Sequence, residues 1–214
     1  LHPDGKRVLT AGRDHKLKLW NLQSGEELLT LAGHSGAITA CLISRDGKRA
    51  ISAGWDHSVR VWDLASGKLL HALHGHQGAV SAMHLLPDDQ HVVSASWDHS
   101  LIIWQLSTGT RRAQLTGHSA PINAVVATTD GRFLISASDD RTVKVWDAEA
   151  GKELRTLIGH HAGVKGCVIL PDGRSVISVS EDWTLRQWDL ATGAPTPATI
   201  ARLGLGAQAR TLAA

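Results

Sequence analysis

The sequence has few cysteines, no marked excess of charge and no long hydrophobic run. Two of its 214 residues are cysteines, and 22 lysines and arginines stand against 20 aspartates and glutamates, for a net charge of +2. Such a balance gives no strongly basic field for nucleic acid and no acidic tail. No apolar stretch reaches roughly 18 residues, which excludes a membrane-spanning helix. We therefore expect neither nucleic acid nor a membrane as a partner.

No signal peptide is visible, and the chain starts at Leu1 rather than at a methionine. We therefore expect a piece of a longer protein, whose upstream part the sequence does not show. Low cysteine usage fits a reducing compartment, and we expect a cytoplasmic location.

One pattern recurs with a fixed period of 42 residues. A Gly-His pair opens each copy, at Gly33-His34, Gly75-His76, Gly117-His118 and Gly159-His160. A tryptophan keeps the same period, at Trp20, Trp62, Trp104, Trp146 and Trp188. An aspartate precedes each tryptophan by six residues, at Asp14, Asp56, Asp98, Asp140 and Asp182. Self-similarity at this period is the signature of a repeat architecture.

The period divides the chain into one array of units. Residues 1–32 form a truncated unit without a Gly-His pair, followed by full units at 33–74, 75–116, 117–158 and 159–200 and by a C-terminal tail at 201–214. Five units account for nearly the whole length, so two unrelated domains are not expected. The tail has none of the markers of the repeat, and we expect it to be loose.

Each full unit predicts four short β-strands. In the unit 33–74 they are expected at 37–43, 49–53, 58–62 and 68–73, with turns at Asp46-Gly47 and Ser66-Gly67 among the segments that separate them. The truncated unit predicts three, at 7–11, 16–20 and 28–31. A sheet this small has two faces to bury, so it must stack on its neighbours. In the last unit Pro195 and Pro197 restrict the fourth strand to an edge.

With these features, residues 1–200 resemble the WD-repeat (tryptophan-aspartate) β-propeller family. The Trp-Asp pair is intact at Trp62-Asp63, Trp146-Asp147 and Trp188-Asp189, and it is replaced by Trp20-Asn21 and Trp104-Gln105. The resemblance implies an all-β fold of four full, four-stranded antiparallel blades plus one truncated blade, as an arc of a propeller with about seven blades. The alternative is a closed five-bladed ring, in which the tail would supply the missing inner strand of the first blade. An open arc leaves two blade faces uncovered, so it would tend to self-associate.

The resemblance also implies a hydrogen-bonded tetrad in each full blade. The four sets are His34, Ser52, Asp56 and Trp62; His76, Ser94, Asp98 and Trp104; His118, Ser136, Asp140 and Trp146; and His160, Ser178, Asp182 and Trp188. The truncated unit keeps Thr10, Asp14 and Trp20. An indole only donates, a carboxylate only accepts, and a hydroxyl and an imidazole do both, so a relay from Trp to Ser to His to Asp satisfies every member. The glycine usual after the tetrad aspartate is absent, which leaves the tightness of that turn open; its place is taken by His15, His57, His99, Arg141 and Trp183.

Hydrolase catalysis and metal binding are the two alternatives to this structural role. Ser52, His34 and Asp56 have the composition of a hydrolase triad, but the same trio occurs four times, each with its tryptophan. Four structural networks are therefore expected, and no catalytic residue. None of the thirteen histidines has the spacing of a metal motif, so neither a metal nor a cofactor is expected.

The tryptophans Trp55, Trp97 and Trp183 stand outside the framework. Trp55 and Trp97 share the position before the tetrad aspartate, where two interpretations remain open: packing against the next blade, or exposure on a rim used for partners. Positions that contact partners in the family correspond here to Arg13, Trp55, Trp97, Asp139 and Glu181, and to Thr39, Ser81, Asn123 and Lys165.

The resemblance implies a non-enzymatic scaffold that binds a protein or peptide through the loops of one propeller face. Similar repeats often form the sensor or docking part of larger signalling proteins. The alternative is an enzyme with a pocket at the central channel. An acidic or metal-binding cluster facing that channel would favour an enzyme, and the strand at 37–43 and its equivalents carry none.

Overall fold

The computed structural model describes residues 1–196 and 201–202. Its regular structure is a series of β-strands: β1 (Arg7–Ala11), β2 (Lys16–Asn21), β3 (Glu27–Ala32), β4 (Ile38–Ile43), β5 (Arg49–Gly54), β6 (Val59–Asp63), β7 (Leu69–Leu73), β8 (Val80–Leu85), β9 (His91–Ser96), β10 (Ser100–Gln105), β11 (Thr110–Thr116), β12 (Ile122–Ala127), β13 (Phe133–Ser138), β14 (Thr142–Asp147), β15 (Lys152–Ile158), β16 (Val164–Ile169), β17 (Ser175–Ser180), β18 (Thr184–Asp189) and β19 (Ala201–Arg202). The described residues include no helix long and apolar enough to cross a membrane.

The strands form five antiparallel sheets, which we number as blades 1 to 5 in chain order. Blade 1 has the order β1-β2-β3, and the other four are β4-β5-β6-β7, β8-β9-β10-β11, β12-β13-β14-β15 and β16-β17-β18-β19. This arrangement confirms the all-β prediction of four full blades and one truncated blade. We call the first strand of each full blade its inner strand; blade 1 begins at the equivalent of the second.

The expected strand bounds agree with the structure to within about one residue, because turn residues punctuate every hairpin. The last unit differs at its fourth strand. Pro195 makes an isolated bridge to Trp188, and pairing resumes where Ala201 and Arg202 face Leu185 and Thr184. Ala201 and Arg202, which the sequence places in the tail, therefore pair within blade 5. Pro197 and residues 203–214, with the expected looseness of the tail, lie outside the described residues.

Each full blade has a β-bulge one residue into its inner strand. In blade 2, Ile38 faces Gly54 and Ala40 faces Ala53, so no residue of β5 lies directly opposite Thr39 in the register. The same register shift occurs between Val80 and Ala82, between Ile122 and Ala124, and between Val164 and Gly166. A bulge redirects the extra side chain. The extra residues are Thr39, Ser81, Asn123 and Lys165.

Four apolar clusters fill the spaces between successive blades. The tryptophan of each full blade packs on the blade before it: Trp62, for example, lies with Leu17 and Leu31 of blade 1. The tryptophans at 62, 104, 146 and 188 are at most 2% exposed. Trp20 is only half-buried, because no described blade covers that face.

The two cysteines lie on the inner strands of blades 2 and 5, and both are free. Cys41 is half-buried and Cys167 is buried, each with its sulfur near a carbonyl of the preceding blade. Burial raises the pKa of the Cys41 thiol and raises that of Cys167 to about 12, so both stay protonated at neutral pH.

Candidate functional site: the tetrad turns and the tryptophan rim

The structure brings the four members of each tetrad together. In blade 2 the Trp62 Nε1 donates to the Ser52 Oγ at 2.9 Å, that Oγ lies 2.8 Å from the His34 Nε2, and the His34 Nδ1 lies 2.8 Å from the Asp56 Oδ2. The corresponding distances in blades 3 to 5 are 2.6–2.9 Å. Because the indole only donates and the carboxylate only accepts, the serine donates to Nε2 and the Nδ1–H donates to the aspartate.

The tetrad aspartates are held ionised. Burial tends to raise the pKa of Asp56, but hydrogen bonds from the Ser35 N–H, from Ser58 and from His34 outweigh it and hold the pKa below its ordinary value. The pKa values of Asp98, Asp140 and Asp182 are lowered for the same reasons. Burial also lowers the pKa of the His34 and His160 imidazoles, despite their aspartate partners. A neutral histidine is what the proton arrangement of the tetrad requires.

The turn after each tetrad aspartate is tight without a glycine. His57 adopts φ 64°, and the other residues at this position have φ between 63° and 71°: His15, His99, Arg141 and Trp183. The N–H of His57 closes the turn on the Gly54 carbonyl at 3.2 Å. This left-handed conformation costs a non-glycine residue about 1–2 kcal/mol. The turn is therefore tight although no glycine stands at this position, and its left-handed residue is strained.

The buried serines give the triad interpretation no support. Ser52, Ser94, Ser136 and Ser178 are 0% exposed, and the oxygen of each accepts a tryptophan N–H. Each tetrad instead fixes the turn that carries the next feature, the rim.

We define the rim as the five tetrad turns, 13–15, 55–57, 97–99, 139–141 and 181–183, together with the four bulge residues named above. Trp55 and Trp97 are its most prominent members. Their ring centroids lie 6.1 Å apart at an interplanar angle of 46°, and they are 54% and 48% exposed. The backbone N–H of each donates to the start of the inner strand in its own blade, at Ala37 or Ala79. The rings pack on each other across two blades and keep about half of their surface exposed, so packing and exposure occur together at this position.

Three bulge residues that the sequence offered as partner contacts join neighbouring blades. The Thr39 hydroxyl donates to the Val80 carbonyl and the Ser81 hydroxyl to the Ile122 carbonyl. The Asn123 amide donates to the Val164 carbonyl at 2.9 Å. The sequence analysis did not predict these hydrogen bonds between blades. The signal was a short side chain able to donate a hydrogen bond at the same position of three successive units.

The fourth bulge residue, Lys165, points to a different set of partners. Its Nζ lies 2.5 Å from the Asp139 Oδ1 and 3.2 Å from the Glu181 Oε1. The Asn123 amide also donates to the Asp139 Oδ1, at 2.7 Å. Burial tends to lower the pKa of Lys165, but the two carboxylates raise it above its ordinary value. One of the two acidic charges on this side of the rim is therefore neutralised internally, while Arg13 on blade 1 stays exposed.

A cleft of about 190 Å³ lies between blades 3 and 4, at the strand ends opposite the rim. Its walls include Asp88, Asp130 and Arg112. The first two carboxylates accept N–H groups within their own turns. Among the described residues, no group of three or more His, Cys, Asp or Glu side chains is placed to hold a metal ion.

Comparison with known proteins identifies the repeat. The family model described as "WD domain, G-beta repeat" matches five times, at residues 1–21, 25–63, 67–105, 109–147 and 151–189. These matches cover most of the chain. No curated protein sequence matches it.

Proposed function

Because the chain belongs to the WD-repeat family, whose repeats generally mediate protein–protein interactions, we propose that it is a non-enzymatic scaffold that binds a protein or peptide through its rim. The proposal includes a cytoplasmic location and a docking or sensing role within a larger signalling protein. The observation that carries it is the half-exposed Trp55–Trp97 pair, held on adjacent blades by the tetrad turns.

A rigid stack of blades suits this role for an energetic reason. Association costs conformational freedom in every group that must be ordered, and a fixed surface has already lost that freedom. The two tryptophans are anchored through their backbones and through each other. Large aromatic side chains on such a surface are the usual hot spots of interfaces.

The charges around the pair indicate the chemistry of the partner. Arg13 lies to one side of the tryptophans, and Asp139 and Glu181 lie to the other, with Lys165 between those carboxylates. An apolar or aromatic centre on the partner would contact Trp55 and Trp97, and an acidic end would face Arg13. The partner's other end would meet a single uncompensated negative charge, so a basic residue there would contribute less.

Selection of a displayed random-peptide library on the full chain tests the proposal. We expect enrichment of peptides with an aromatic or aliphatic centre flanked on one side by an acidic residue. These peptides should not bind a chain with both Trp55→Ala and Trp97→Ala, and they should still bind Leu28→Ala, which removes a comparably exposed apolar side chain outside the rim. Enriched peptides that bind the double variant as well as the parent would contradict the proposal.

A further inference from the structure

The rim changes its chemistry between blades 3 and 4. At the position before the tetrad aspartate, blades 2 and 3 carry Trp55 and Trp97, whereas blade 4 carries Asp139. The two tryptophan rings pack on each other. The Asp139 carboxylate contacts blade 5 instead, through its Oδ1 and the Lys165 Nζ. One position of the repeat is therefore apolar on two blades and ionic on the next.

Two donors hold the Asp139 Oδ1 at the joint between blades 4 and 5. The Asn123 amide donates to it at 2.7 Å from blade 4, and the Lys165 Nζ donates at 2.5 Å from blade 5. That Nζ also lies 3.2 Å from the Glu181 Oε1. All four residues belong to the rim, so the chain supplies its own cation to the acidic side of this surface.

A glycine makes room for this ion pair. A Cβ atom at Gly163 would lie 2.6 Å from the Asp139 Oδ1, so a residue with a side chain there would displace the carboxylate. Glycine permits such a close approach because it has no Cβ. The other full blades have a side chain at the equivalent position: Ala37, Ala79 and Pro121. Blade 5 therefore differs from them at 163 as well as at 165, and both differences favour the contact with Asp139.

The ion pair lies within reach of a bound partner. The Lys165 and Asp139 side chains are 26% and 34% exposed, and that of Glu181 is 60% exposed. One positive and two negative groups give this side of the rim a formal charge of −1. Without Lys165 the same surface would have two uncompensated carboxylates. Complementary charges across an interface mainly set its specificity, so this balance bears on the choice of partner.

We propose that Lys165 determines the specificity of the rim: by compensating Asp139, it leaves little advantage to a partner polypeptide whose segment beside blades 4 and 5 is basic rather than uncharged. In this division of roles, the Trp55–Trp97 pair supplies affinity and Lys165 supplies selection. Specific interfaces commonly contain an element that disfavours the wrong partner, and a cation beside the partner's basic residue is such an element. The inference rests on the proposed binding of a polypeptide by the rim.

The test compares three versions of one peptide selected on the full chain. At the end opposite to its acidic residue the peptide carries lysine, alanine or glutamate, and fluorescence anisotropy measures each affinity. On the parent chain, the lysine version should bind within about threefold of the alanine version, as weak exposed ion pairs do. On Lys165→Met, it should bind at least about tenfold more tightly than the alanine version, because two carboxylates then face its ammonium group. The glutamate version should bind Lys165→Met more weakly than it binds the parent.

Further variants assign the effect to the ion pair. Lys165→Met with Asp139→Asn removes both charges and should restore the preference of the parent, since Glu181 alone remains. Lys152→Met removes an exposed lysine of β15 and should leave the preference unchanged. Lys165→Gln loses the same charge and should shift the preference in the same direction as Lys165→Met. Thermal unfolding checks that each variant is folded. The readout is the ratio between peptide versions on one chain, because reduced stability weakens all versions alike.

The outcome separates this inference from the rim function on which it rests. Peptides that fail to bind Trp55→Ala with Trp97→Ala, but show the same ratio on the parent and on both Lys165 variants, would overturn the role of Lys165 alone. A preference for lysine that persists when Asp139→Asn is added to Lys165→Met would also overturn it. Peptides that still bind the variant without the two tryptophans would contradict the rim function itself, and this inference with it.

Discussion

The Nδ1 of His34 and the Oδ2 of Asp56 lie 2.8 Å apart, and both side chains are almost fully shielded from solvent. This contact links the loop before β4 to the turn between β5 and β6. With Ser52 on β5 and Trp62 on β6 it connects that loop to two strands of blade 2 through side chains alone. Because the network is repeated in four blades, we expect it to stabilise the rim turns.

Removal of one tetrad aspartate should therefore cost stability. Asp98→Ala leaves the His76 Nδ1–H and the Gln77 N–H without their acceptor. We expect the free energy of unfolding to fall by about 1–3 kcal/mol in urea denaturation, the usual cost of a buried polar group that loses its partner. Glu149→Ala, at an exposed turn, is the control and should change little. An unchanged free energy for Asp98→Ala would contradict the structural role of the tetrad.

Stability should also decrease as the pH falls. The pKa values of His34 and His160 are lowered by burial, so between the folded pKa and the ordinary value of 6.5 the unfolded chain binds more protons. The contribution of these two histidines to the free energy of unfolding is complete above about pH 6.5. It is lost as the pH falls through their pKa in the folded chain. The tetrad aspartates, whose pKa values are also lowered, add a second loss below about pH 4.

Urea denaturation at about pH 7.5, 5.5 and 3.5 measures this dependence. Gln23→Ala, which changes an exposed and uncharged side chain, should keep the parent's slope. A free energy of unfolding that stays constant or rises from pH 7.5 to 5.5 would contradict the neutral state of the tetrad histidines.

Relief of strain in a tetrad turn should stabilise the chain. His99 has φ 70°, a conformation that glycine adopts without a steric penalty. After the greater freedom of glycine in the unfolded chain is subtracted, His99→Gly should raise the free energy of unfolding by about 0.5–1 kcal/mol. His74→Gly changes an exposed histidine outside the left-handed region and should be destabilising. Equal effects of the two substitutions would show that the turn is not strained.

A substitution at the bulge residue Thr39 distinguishes two possible roles of this side chain: a hydrogen bond between two blades, or a contact with a partner. Thr39→Val keeps the shape of the side chain but removes the hydrogen bond to the Val80 carbonyl. We expect a loss of about 0.5–1.5 kcal/mol in the free energy of unfolding, with the affinity for rim-selected peptides unchanged. The reverse result, with stability retained and affinity lost, would place Thr39 in the partner site.

The period of the sequence predicted the blades, because glycine and aspartate turns, β-branched strands and the tryptophan recur at fixed spacing. It did not predict where Lys165 points, since that depends on Asp139 in the neighbouring blade. Nor did it decide between packing and exposure for Trp55 and Trp97. Their contact arises from the angle between two blades, which local pattern does not encode. The blade number of about seven and the self-association of the arc stay predictions.

Binding of the rim-selected peptides, measured together with thermal unfolding, tests the central claim most directly. Trp55→Ala with Trp97→Ala should weaken peptide binding more than tenfold, because truncation of an aromatic hot spot costs about 2 kcal/mol or more. The double variant should melt close to the parent, whereas Trp62→Ala should melt well below it, because Trp62 is 2% exposed and supports both a tetrad and the joint with blade 1. Peptide affinity retained by the double variant, or a melting temperature as low as that of Trp62→Ala, would contradict the assignment of these tryptophans to a binding rim.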